Sequence, residues 1–123
     1  MNSKEKFSFK KRLASFRFAF NGLKLFIKTE HNAWIHIAAT LVAIGFGAMF
    51  KISKTEWIEI FIVIGFVFSM EIINAAIERL CDFIYPDEHE IIKQIKDISA
   101  AAVLVSALVA LIVGVIIFLP KIF

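Results

Sequence analysis

The sequence predicts an all-α integral membrane protein, with an N-terminal amphipathic interfacial helix followed by three transmembrane helices. Three observations carry the prediction. Hydrophobic residues make up 59% of the 123 residues, well above the roughly 45–50% apolar usage of a soluble domain. Downstream of the N-terminal region, the apolar residues collect in three long runs separated by short polar connections. Runs near ~20 residues are long enough to cross the hydrocarbon of a bilayer. The N-terminal run differs from these: it alternates apolar and basic positions at helical spacing.

That first element covers residues 7–28. Phe9, Leu13, Phe16, Phe20, Leu23 and Ile27 recur at steps of four and three, while Lys10, Arg17, Asn21, Lys24 and Lys28 keep a similar rhythm on another face. An aromatic-rich face opposite a basic one describes a helix lying in the membrane interface. No cleaved signal peptide is expected, because no apolar run with a small-residue cleavage site directly follows the N-terminal charges.

The spans are expected at 34–50, 57–81 and 98–119. Trp34 suits the interface at the mouth of the first, and Gly45, Gly47 and Ala48 permit close packing near its far end. Lys51, Lys54 and Glu56 read as a solvated turn. The second span is followed by a polar loop, Asp82 to Gln94, and the third is expected to stop at Pro120. Along the third, Ala102, Ser106, Ala110 and Gly114 recur every four residues, a small-residue face suited to helix association. All this amounts to one domain, 1–123. The single Cys81 can form no internal disulfide.

Charge sets the orientation. Eleven Lys and Arg residues lie before the first span or around the second connection (Lys4, Lys6, Lys10, Lys11, Arg12, Arg17, Lys24, Lys28, Arg79, Lys93, Lys96), against three on the other side (Lys51, Lys54, Lys121). The excess assigns the N-terminus and the Asp82 to Gln94 loop to the cytoplasm. Topology therefore explains a net charge of +3 without invoking a nucleic-acid partner.

The functional signal is a polar stripe in the second span. Glu71, Asn74, Glu78 and Asp82 lie three or four residues apart, so they fall within an arc of roughly 80° on one helix face. Ionisable groups in a membrane segment are costly and mark a functional site by default. Glu30, before the first span, and Lys96 with Asp97, at the start of the third, are expected on the same leaflet. Carboxylates from separate helices suit a divalent hard cation such as Mg²⁺, and a lysine beside them can contact phosphate oxygens. Phosphoryl transfer needs mostly such positioning and neutralisation of charge. Glu71 lies about 10 Å deeper than Glu78 at ~1.5 Å per residue, which suits it to accept a proton, with Asn74 orienting it or a hydroxyl. His36 and His89 read as interfacial or loop residues. No G-x-x-x-x-G-K-[ST] phosphate loop occurs, which excludes a soluble P-loop kinase fold.

Glu71-Ile-Ile-Asn-Ala-Ala-Ile-Glu78 followed by Asp82, and Lys96-Asp97-Ile-Ser-Ala-Ala-Ala-Val, closely resemble the signature of the small prokaryotic integral-membrane diacylglycerol kinases, which include the undecaprenol kinases. Asn21-Gly22-Leu23-Lys24 and Glu30 extend the resemblance upstream. It implies homotrimers in the bacterial inner membrane, composite sites between neighbouring subunits, and phosphorylation of a lipid hydroxyl by ATP and Mg²⁺ at the cytoplasmic face. By the same resemblance Glu71 corresponds to the general base and Asn74 to its polar neighbour, and Glu30 and Glu78 to the metal-binding carboxylates. Lys96 corresponds to a phosphate contact and Asp97 to a nucleotide-site residue, with Asp82 beside them; Lys11 and Lys24 correspond to basic contacts to ATP. One position departs from the pattern: Ala75 stands where the family usually has Ser or Thr after the motif Asn. The Glu30-His-Asn-Ala-Trp-Ile-His stretch, Glu56-Trp57 and the Gly-Val-Ile-Ile-Phe-Leu-Pro ending look more like the undecaprenol-kinase branch, so undecaprenol is favoured over diacylglycerol. Two other readings compete: a small oligomeric cation channel or transporter lined by Glu71 and Glu78, and a noncatalytic assembly subunit built on the small-residue face.

Overall fold

The computed structural model describes residues 8–123, so Phe7, Lys4 and Lys6 lie outside the described residues. The described elements are four α-helices: α1 (Phe9–Thr29), α2 (His31–Met49), α3 (Lys54–Ile84) and α4 (Glu90–Ile122). The last three are long and apolar enough to cross a membrane.

Helix α1 starts where the Ser8 hydroxyl accepts the Lys11 amide at 3.4 Å, the usual role of serine at an N-cap. It ends at Glu30, whose extended backbone (φ −105°, ψ 119°) closes α1 and opens α2 in one residue. The helices meet at a corner. Inside it, Phe26 of α1, Ala33 of α2 and Ala75 of α3 form a buried cluster, with Ile27 and Phe68 packed against it. Ala33 is wholly buried, and only a methyl-sized side chain suits so close an approach. Phe9, Leu13, Phe16 and Phe20 remain exposed.

The turn between α2 and α3 is built from backbone bonds. The Ile52 amide reaches the Gly47 carbonyl at 3.1 Å and the Lys51 amide the Ala48 carbonyl at 3.3 Å, the pairing of a Schellman motif. Lys51 takes the left-handed position, φ 50°. Ser53 and Glu56 then form a reciprocal capping box, and Glu56 also pairs with Lys121 at 3.3 Å. The expected solvated turn is thus a cap tied to the end of α4. Here Ile52, Ile60 and Ile117 make a second buried cluster.

Helices α3 and α4 form the most extensive pair in the molecule. The α4 face toward the interior carries Ser99, Ser106 and Ile117, all buried, with Val103, Ala110, Val113 and Gly114 half-buried beside them. The expected small-residue face is therefore partly internal: Ser106 is wholly buried and its hydroxyl donates to the Val103 carbonyl at 2.8 Å, whereas Ala102 is exposed.

Helix ends differ from the expected span ends because hydropathy marks the apolar stretch, not the helix. Helix α4 begins at Glu90, eight positions before the apolar run; His89 caps it through Nδ1, which accepts the Ile91 amide at 3.1 Å. The expected Asp82 to Gln94 loop shrinks to residues 85–89. Pro120 lies inside the last turn of α4 rather than stopping it. A proline removes one amide donor, and so near the end little helix remains to be disrupted.

Gly47 faces Trp57 so closely that an added Cβ would sit 2.6 Å from its ring, whereas one at Gly45 would meet nothing within 4 Å. Gly47→Ala is expected to destabilise the fold by about 1–3 kcal/mol through overpacking. Gly45→Ala should leave it unchanged or raise it by up to ~1 kcal/mol through helix propensity. Unfolding midpoints of the two variants in detergent check the contrast.

Candidate active site

Glu71 is 4% exposed, in the apolar part of α3. A carboxylate taken out of water needs a close partner, and α2 supplies one: Nε2 of His36 lies 2.8 Å from Glu71 Oε1. The His36 ring meets Phe68 edge-on, centroids 6.0 Å apart. One turn from Glu71, Asn74 Oδ1 accepts the hydroxyl of buried Ser99 at 2.7 Å. Glu71 thus ties α3 to α2, and Asn74 ties α3 to α4. His36 also lines an apolar cavity of about 230 Å³ that includes Ala39, Thr40, Val67, Ala110 and Gly114.

Asp82 is eleven residues beyond Glu71 on α3, or ~16 Å along the axis. It receives Lys96 of α4 at 2.5 Å, and Lys96 lies in the field of both Asp82 and Glu78. Asp97 does not join them. It pairs along its own helix with Lys93 at 2.7 Å, both side chains exposed. Neighbouring residues on a helix point ~100° apart, so Lys96 and Asp97 address different sides of α4.

Glu30 sits at the α1–α2 corner, across from Arg79 of α3. The Arg79 guanidinium donates to the Thr29 hydroxyl at 2.5 Å and lies 3.9 Å from the Glu30 carboxylate; Thr29 in turn donates to the Leu25 carbonyl at 2.7 Å. At that separation Arg79 leaves the Glu30 oxygens able to accept another cation. Half-buried Glu78 is next to Arg79 in the chain. By donor chemistry alone Glu30 and Glu78 suit Mg²⁺, as hard oxygen donors of which that ion needs only one or two beside substrate phosphates. Among the described residues no group of three or more His, Cys, Asp or Glu side chains forms an all-protein metal cage.

The two lysines of α1 stand apart. Lys24 lies in an open groove with Phe20, Leu23, Ile27, Lys28 and Trp34. Lys11 is nineteen residues before Glu30, ~28 Å along the axis of α1, and within one chain the fold does not bring it to the other candidates.

Three polar partners carry no role in the sequence pattern: His36, Ser99 and Arg79. His36 and Ser99 each break an apolar run, a usable signal. Arg79 counts in the sequence only as a topology charge, and nothing in its spacing points to Thr29, fifty residues away.

Residues 17–118 match the family described as prokaryotic diacylglycerol kinase. The chain belongs to that family. It is 40% identical over 107 residues to a protein of Bacillus subtilis named undecaprenol kinase, covering 87% of each chain. It is 30% identical over 109 residues to a protein of Synechocystis sp. named diacylglycerol kinase, covering 88% of this chain and 62% of that one. Family membership makes the chain a lipid kinase, a user of ATP, and favours that reading over the channel. The matched stretch holds every candidate residue except Lys11.

Arg79→Ala should loosen the corner and cost about 1 kcal/mol, the scale of a partly exposed charged hydrogen bond. Amide exchange is expected to quicken from Phe26 to Ala33 and to stay unchanged from Ser99 to Ser106. Hydrogen exchange resolved by peptide separates the two regions.

Proposed function

We propose that the chain transfers the γ-phosphoryl group of ATP to the hydroxyl of a membrane lipid at the cytoplasmic face, undecaprenol being the favoured acceptor and diacylglycerol the second. The observation that carries the reading is the division of polar groups by depth along α3. Buried Glu71 stands beside His36, while exposed Asp82 stands beside Lys96 some three turns further along. The shallow end suits a water-soluble phosphate donor. The deep end suits a hydroxyl still anchored in lipid.

In this reading Glu71 takes the proton of the attacking hydroxyl, and Asn74, fixed by Ser99, keeps the α3–α4 spacing beside it. Lys96 and the basic residues Lys11 and Lys24 meet phosphate oxygens, with Asp82 and Asp97 on the nucleotide side. Glu30 and Glu78 would hold Mg²⁺, whose chemistry when bound is neutralisation of charge on the transferring phosphoryl group. The preference for undecaprenol has the support of the 40% identity to the Bacillus protein so named.

The working form is a homotrimer in the bacterial inner membrane, with α1 lying along the interface and the N-terminus cytoplasmic. Supporting the trimer, α2 and α4 leave Leu41, Val42, Leu104, Val105, Leu108 and Ile112 exposed, and Lys11 lies ~28 Å along α1 from Glu30. A neighbouring subunit would bring such a lysine to the site. Supporting the interfacial helix, α1 exposes Phe9, Leu13, Phe16 and Phe20 while carrying six lysines and arginines, Lys10, Lys11, Arg12, Arg17, Lys24 and Lys28.

Purified protein with Mg-ATP should phosphorylate undecaprenol faster than diacylglycerol in a side-by-side assay, and the reverse order would exchange the acceptors. Glu71→Gln is expected to remove at least 100-fold of the rate while the protein stays folded; near-normal transfer by that variant would remove Glu71 as the base. Glu78→Gln should raise the Mg²⁺ concentration needed for half-maximal activity. An unaltered Mg²⁺ titration would withdraw Glu78 as a ligand.

A further inference from the structure

We propose that His36 is a positioning residue for the transfer: it holds one oxygen of Glu71 so that the carboxylate is oriented to take the acceptor's proton. The proposal rests on the reading of Glu71 as the base. It starts from the 2.8 Å contact between His36 Nε2 and Glu71 Oε1. An ionised carboxylate only accepts hydrogen bonds, so the imidazole N–H donates.

The histidine is itself held. Phe68 meets its ring edge-on at an interplanar angle of 66°, and Phe68 packs against the Phe26, Ala33 and Ala75 cluster. On α2, the Thr40 hydroxyl bonds the His36 carbonyl at 2.7 Å. The Glu71 side chain is 6% exposed and that of His36 21%, so water has poor access to replace the donor. A base must lie within hydrogen-bond reach of the proton it takes. A buried carboxylate without His36 would be free to turn away from that geometry.

The chemistry balances with ATP and lipid alone. The lipid O–H bond breaks as its proton passes to the Glu71 carboxylate, and the oxygen forms a bond to the γ-phosphorus. The bond from that phosphorus to the β–γ bridging oxygen breaks and leaves ADP. Glu71 then releases its proton to water, and His36 keeps its own proton throughout.

The test uses the full-length protein with Mg-ATP and whichever of undecaprenol and diacylglycerol the wild type turns over faster. His36→Phe keeps an aromatic ring against Phe68 but removes the donor, and should lower kcat about 10- to 100-fold, by analogy with the loss of a group that orients a metal ligand. KM for ATP should not change. His36→Gln restores an N–H donor and should recover most of kcat. A wild-type kcat for His36→Phe, or a His36→Gln variant no faster than His36→Phe when both unfold at the wild-type midpoint, would overturn the proposal. Should His36→Phe fail to fold, His36→Gln and His36→Asn replace it: the shorter amide is expected to lose rate that Gln keeps, and equal rates overturn the proposal. Glu71→Gln keeps the two readings apart. If it remains active, the base assignment fails; if it is inactive while His36→Phe is normal, only the positioning role fails.

Discussion

The polar contacts at the centre of the α2–α3–α4 packing answer the cost of taking one carboxylate out of water. Glu71 lies in the apolar part of α3 with 4% of its surface accessible, where an unpaired charge would be worth several kcal/mol against folding. The fold answers with His36, and the answer fixes more than a hydrogen bond. It sets the rotation of α2 about its axis, since only that rotation turns His36 toward α3 while Ala33, nearly one turn earlier, closes on Phe26 and Ala75. Asn74 and Ser99 do the same for α4. In an apolar medium, where packing between helices gains little from excluding water, such polar contacts and close approaches of small residues are what specify register.

The second constraint is length. At 31 and 33 residues, α3 and α4 run to ~46 and ~50 Å at 1.5 Å per residue, against a hydrocarbon core of ~30 Å. The excess has to stand in water or headgroups. At one end it carries Asp82, Lys96, Lys93 and Asp97, all paired. Those exposed pairs are weak as braces, which leaves their charges available to a soluble phosphate donor.

This division explains which parts of the molecule were legible in the sequence. The three apolar runs and the α1 pattern were readable because periodicity and hydropathy are local properties. The stripe from Glu71 to Asp82 was readable because one helix face is a matter of spacing. What could not be read were contacts that depend on how helices turn against one another: His36 with Glu71, Ser99 with Asn74, Arg79 with Thr29. Lys96 and Asp97 are adjacent in the chain; the Asp97 pair with Lys93 is local to α4, one turn back, whereas it took the α3–α4 packing to bring Lys96 to Asp82. The early start of α4 has a different reason, since Glu90 to Asp97 mixes three isoleucines with five charged or amide residues and is helical, while hydropathy reports only that the stretch is too polar to join the apolar run. A serine followed three residues later by glutamate, Ser53 and Glu56, was a local signal that would have given the start of α3.

The Ala75 position brings these threads together. A serine or threonine there, as the family pattern has it, would add a hydroxyl one residue from Asn74, and its absence first looks like a loss to the site's polar network. In the folded chain Ala75 is buried against Phe26 and Ala33, on the side of α3 that receives the α1–α2 corner. A hydroxyl at that point of a helix bonds most readily to the carbonyl one turn back, so it would turn inward to its own backbone rather than toward the Glu71 carboxylate. The carboxylate is reached from α2, through His36. The alanine therefore puts a methyl in place of a locally satisfied hydroxyl in the cluster against which Phe68 packs, and Phe68 is the side chain that the His36 ring meets edge-on. A substitution that removes polarity near the candidate base therefore leaves the hydrogen bond between that carboxylate and His36 intact.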